Sequence, residues 1–96
     1  MKLPVTLRRR AEADLDDAFA WYEAVQGGLG TAFALAAAEC IERVRDHPEA
    51  FPLDRANTRR ATLHRFPYHL FYVVRSDRIL VIAIYHARRR PRRFTT

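Results

Sequence analysis

Near the N-terminus, Leu3, Val5 and Leu7 alternate with Lys2, Pro4, Thr6 and Arg8, the period-two pattern of a half-buried strand. Pro4 has no amide proton to give a ladder, which puts this strand at a sheet edge or at the point of entry. From about Arg9 to Gln26 the period changes. Ala11, Leu15, Ala18, Tyr22 and Val25 recur every three or four residues, and Phe19 widens the stripe, as in an amphipathic helix. Gly27-Gly28 ends it, because glycine takes the left-handed conformation without strain. A second helix follows Gly30 and runs to about His47, with Phe33, Ala37, Cys40, Ile41 and Val44 on one face, until Pro48 stops it. So short a break predicts an antiparallel helical hairpin.

Residues 48–58 read as a loop containing Pro48, Pro52 and Asn57. Three short strands then follow, at about Arg59–Arg65, Tyr68–Arg75 and Arg78–His86. Phe66-Pro67 separates the first two, and Ser76-Asp77 is a two-residue hairpin turn between the others. Ile79 to Ile84 is apolar at every position, as expected of a strand covered on both faces. The order β-α-α-β-β-β predicts an α+β fold, with an N-terminal edge strand and a helical hairpin packed on a mostly antiparallel sheet. Residues 1–96 are read as a single domain, with an arginine-rich tail at 88–96.

Charge adds an asymmetry to this layout. Of 17 basic residues, sixteen are arginine. Residues 1–50 carry six basic and nine acidic side chains, a net of −3, whereas residues 51–96 carry eleven and two, a net of +9. A strongly basic second half suggests a face for a polyanion or an acidic partner. Cys40 is the single cysteine, so neither a disulfide framework nor a Cys-rich zinc site is expected. Its place in an apolar helical stripe predicts a buried, inert thiol. No apolar run approaches the roughly 18 residues of a membrane span, and no signal-peptide core precedes the first strand. Neither a metal nor a cofactor is expected, and the bacterial cytoplasm is the expected compartment.

Three blocks carry a family resemblance: Ala11-Glu12-Ala13-Asp14-Leu15 with Trp21-Tyr22-Glu23, the run Arg60 to Tyr72, and Ile84 to Pro91. In this order, and over nearly the whole chain, they resemble the RelE/ParE superfamily of bacterial toxins. The resemblance implies the toxin of a type II toxin–antitoxin module of the plasmid-stabilisation type, neutralised by a small antitoxin. A dimer of toxin–antitoxin heterodimers is one form of the implied assembly. Members resembling ParE inhibit DNA gyrase, and those resembling RelE cleave mRNA on the ribosome.

Metal-independent RNA cleavage needs a 2′-hydroxyl deprotonated, a crowded phosphate stabilised and a leaving oxygen protonated. The resemblance carries the nuclease positions onto Arg60, Thr62, His69, Arg88 and Phe94. Only Arg60 and Arg88 keep a permanent positive charge, and Phe94 lacks the hydroxyl of the family's tyrosine. Arginine is a poor general base, so a nuclease built on this chain would rely on His69 or His86 beside Arg60 and Arg88. The ParE-like reading needs a binding surface and no catalytic group. The candidate target contacts are Arg59, Arg60, Arg65, Arg88, Arg89 and Arg90, whose planar forks suit phosphate and carboxylate. Such a surface fits gyrase on DNA, or a ribosome with its mRNA. Arg8-Arg9-Arg10 stand where cations oppose the helix dipole, either extending the basic surface or relieved by Glu12 and Asp14 one turn on. Trp21 lies off the main stripe, as a residue at the rim of the core or as an exposed anchor for the antitoxin.

Overall fold

The change of period after Leu7 is where strand gives way to helix. The computed structural model describes residues 2–88, in the order β1 (Val5–Leu7), α1 (Arg9–Val25), α2 (Leu29–Asp46), β2 (Leu53–Arg55), β3 (Thr58–Thr62), β4 (Tyr68–Val74) and β5 (Ile79–His86). The sheet has the order β1-β5-β4-β3-β2. β1 runs parallel to β5, and every other pairing is antiparallel. The expected α+β layout and the edge position of the first strand are both seen. The Pro4 carbonyl accepts the Ile79 amide at 2.9 Å, and the Arg8 amide donates to Val81 at 2.9 Å before the chain turns into α1.

The segment read as loop contains a further strand. β2 is only three residues long and follows Pro52. It pairs with β3 through a tight turn in which Ala56 takes a positive φ of 43°. No alternation can announce so short an element. β3 ends at Thr62 rather than Arg65, because the chain leaves the ladder and Arg65 adopts the left-handed region at φ 73°. The two-residue turn at Ser76-Asp77 closes as expected, with the Arg75 amide bonded to the Arg78 carbonyl at 2.8 Å.

The helical hairpin is fastened by one carboxylate. Gly28 is left-handed at φ 92° and offers no side chain to cap α2. Glu23, reaching across from α1, accepts the Gly28 and Gly30 amides at 2.9 Å each. This meets two of the amides that a helix start leaves unpaired and sets a negative charge against the positive end of the dipole. Gly30 also sets how near the helices come, since a Cβ there would lie 2.7 Å from the Phe19 carbonyl oxygen.

The hairpin covers one face of the sheet. Phe33 is fully buried at the centre of an aromatic group, with ring centroids 5.4 Å from Tyr22, 5.4 Å from Phe66 and 5.0 Å from Tyr68. Cys40 is buried in the same layer, as expected, and desolvation pushes its thiol up to about 11. The Tyr72 hydroxyl donates to the Pro48 carbonyl at 2.6 Å, tying the end of the hairpin to β4. On the opposite face Phe71, Val73, Leu80, Ile82 and Ala83 form a second, smaller buried cluster. Ile82 is the extra residue of a bulge in β5 opposite Phe71 and Tyr72, so Ile82 and Ala83 both serve that cluster. The apolar run Ile79 to Ile84 of β5 thus feeds two cores. Val25, expected in the α1 stripe, is 59% exposed at the helix end.

Candidate functional site

Strand register decides which candidate side chains share a surface. Arg60 pairs with Phe71, Thr62 with His69, and His69 with Tyr85. Phe71 belongs to the cluster away from the helices, so Arg60, Thr62 and His69 share that far face. Thr62 Oγ1 and His69 Nδ1 are 3.0 Å apart. Arg60 lies 3.6 Å from Asp54 of β2, a carboxylate whose side chain is only 7% exposed. Arg10 joins this side of the molecule, its guanidinium 5.0 Å above the Tyr85 ring. That contact gives one of the three N-terminal arginines a role beyond its opposition to the helix dipole.

His86 is turned the other way. Its ring lies 5.3 Å from Tyr68, a member of the helix-side core, and its Nδ1 accepts the Arg88 amide at 3.1 Å. An accepting Nδ1 leaves the proton of the neutral ring on Nε2. His69 and His86, the two histidines considered for catalysis, therefore stand on opposite faces. Arg59 also points to the helix side, where it donates to the Phe51 carbonyl at 2.7 Å and the Glu49 carbonyl at 3.3 Å and so holds the loop before β2. Arg65, exposed, lies 5.9 Å from the Phe66 ring centroid. Arg88 is exposed at the same end of the sheet, where the Ala87 amide bonds to the Pro67 carbonyl at 2.7 Å. Arg89, Arg90 and Phe94 lie outside the described residues. Among those that are described, Arg60 and its neighbours on the far face, with Arg65 and Arg88 at one end, make the basic surface, and Arg59 serves as an internal tie.

Two concavities flank the helices. A cleft of about 560 Å³ lies between α1 and the ends of β4 and β5, with Asp14, Asp17, Trp21 and Tyr22 on one wall and Tyr68, Tyr85 and His86 on the other. Trp21 is an exposed residue of this cleft. The Asp14 carboxylate accepts the Ile84 amide at 2.9 Å. Burial raises its pKa, while that hydrogen bond and Arg10 pull the other way. A shallower apolar groove of about 250 Å³ runs between the helices, lined by Leu15 and Phe19 of α1 and by Ala34, Ala38 and Ile41 of α2. Sequence reasoning missed the cleft. Asp14, Asp17 and Trp21 recur at helical spacing and could have been grouped, but the sheet wall depends on register.

No helix among the described residues is long and apolar enough to cross a membrane. The fold is similar to a solved structure from the chromosomal ParDE TA system of P. aeruginosa, with a TM-score of 0.67 and 22% identity, over 88% of this chain and 95% of that one. No curated protein matches the chain. The family model described as the ParE toxin of the type II toxin–antitoxin system, parDE, matches residues 5–91, spanning β1 to β5 and with them both faces of the sheet; the chain belongs to the ParE toxin family.

Proposed function

We propose that this chain arrests bacterial growth in the cytoplasm by binding DNA gyrase, without chemistry of its own, and that a cognate acidic antitoxin neutralises it in a plasmid-stabilisation type module. The observation that carries this reading is the division of the candidate acid–base groups. Cleavage of one phosphodiester needs its base, acid and charge-stabilising groups around a single phosphate. Here His69 and His86 face opposite sides of the sheet, and Arg60 is engaged by Asp54. What remains, Arg60, Arg65 and Arg88 with Arg89 and Arg90, suits contact better than catalysis. On the antitoxin's side, the groove between the helices, with Phe19 39% exposed on its α1 wall, suits the apolar face of an amphipathic helix.

The alternative is a RelE-like ribosome-dependent endoribonuclease. The Thr62–His69 contact beside Arg60 is the observation in its favour, since it sets a histidine next to a permanent cation on the basic face. One experiment divides the readings: the chain is induced in cells, and the DNA damage response and mRNA integrity are followed together. Induction of the response with intact mRNA is the expected result. Codon-positioned mRNA cuts would sink the gyrase reading, and absence of a growth effect would mean the chain has lost toxicity. Arg88→Ala is expected to weaken growth arrest more than His86→Ala. If only His86→Ala abolished it while target binding persisted, catalysis would be the better account.

A further inference from the structure

β1 stops at Leu7, and beyond it the outer edge of β5 has no neighbouring strand among the described residues. Asp14 fills part of that gap by accepting the Ile84 amide, and the remaining space is the cleft beside α1. Its lining is unlike the rest of this basic protein. Asp14 and Asp17 stand one turn apart on α1, and the aromatic residues Trp21, Tyr22, Tyr68 and Tyr85 surround them. Asp17 makes no hydrogen bond or ion pair among the described residues, and the second oxygen of Asp14 has no hydrogen bond there either. Trp21 makes an edge contact with Tyr22 at 5.0 Å and 84°, and 60% of the residue is exposed, so much of its indole is open to a ligand.

We propose that this cleft is a binding site for the arginine side chain of a partner peptide, with the guanidinium between the aromatic rings and the Asp14 and Asp17 carboxylates. Two carboxylates repel phosphate and acidic side chains, which excludes the ligands the basic face would attract. Arg10 offsets one of the two charges from the Tyr85 side, and the other is left for a cation. A guanidinium fits this lining better than an ammonium. It is planar, so it stacks on an indole or phenol, and its fork can meet both carboxylates. About 560 Å³ holds such a side chain with part of its backbone. The site adjoins the basic sheet face at Tyr85 and Arg10, and the proposal is independent of whether the toxin's target is gyrase or the ribosome.

Trp21 is the only tryptophan, so its fluorescence reports on the cleft directly. The full chain is titrated at pH 8, where an ordinary histidine is neutral, with capped Gly-Arg-Gly, with the citrulline peptide of the same shape and no charge, and with the lysine peptide. A saturable change with the arginine peptide is expected, with the citrulline peptide about tenfold weaker or more and the lysine peptide a few-fold weaker. Asp17→Asn, on an exposed position, is expected to weaken the arginine peptide about fivefold or more while thermal unfolding stays unchanged. Absence of saturation, equal binding of the citrulline peptide, or indifference to Asp17→Asn would each overturn the proposal.

Discussion

The two faces of the sheet are built for different ends. On the helix side, Phe33, Tyr22, Phe66 and Tyr68 interlock beneath two helices, and even the polar groups there, such as the Tyr72 hydroxyl and the Arg59 guanidinium, are tied to backbone carbonyls. On the far side a smaller apolar cluster adjoins Arg60, Thr62 and His69. The first face carries most of the close-packed aromatic contact, and the second keeps polar groups in reach of a ligand. β5 serves both through Ile79 to Ile84, which is why that run is apolar at every position.

Substitutions at matched positions test the contrast. Phe33→Ala is expected to cost about 3–5 kcal/mol in urea unfolding, as large-to-small changes in tight cores do. Phe71→Ala is expected near the low end of that span, because its cluster is smaller and only partly ringed by aromatic partners. Equal losses would break the comparison. Gly30→Ala should follow, at about 1–3 kcal/mol, since a Cβ 2.7 Å from the Phe19 carbonyl oxygen forces the helices apart.

The buried thiol gives a pH signature to the helix side alone. Cys40 ionises at about 11 in the folded chain against 9.0 for the ordinary value. The unfolded chain therefore loses this proton first. The thiol's contribution is complete below pH 9 and is lost as pH rises to 11, with a slope of roughly 1.4 kcal/mol per pH unit at most. Unfolding curves taken across that window should flatten in Cys40→Ala relative to the parent. Glu23→Ala, which strips the α2 start of its carboxylate, is expected to cost about 1 kcal/mol. Thr62→Val on the far face, at an exposed position, should shift stability by no more than about 0.5 kcal/mol.

Much of this arrangement was legible in the sequence. Helical periodicity gave both helices, Gly27-Gly28 and Pro48 their respective ends, and Ser76-Asp77 the last hairpin, because each is a local signal. What was hidden is relational. β2 exists only by pairing with β3, and the parallel match of Val5–Leu7 to Ile79–Val81 spans most of the chain. The cap of α2 comes from the helix before it, so no residue at Gly28 announces it. The candidate site suffered most. His69 and His86 look alike in the sequence, but His69 is opposite Tyr85 in the ladder, and that register sends His86 to the other face. Arg59 and Arg60 likewise read as one basic pair and are divided by strand alternation.

The parallel pairing of β1 with β5 also orders events during synthesis. The helical hairpin rests on contacts between near neighbours and can gather early, whereas the strand that leads into it has no partner until β5 has been made. Until then a growing chain offers a hairpin whose aromatic side, Phe33 and Tyr22 included, is uncovered. The basic face does not exist at that stage, because the strands that carry it come last. A partner that grips the helices could therefore engage this protein before its basic face has formed.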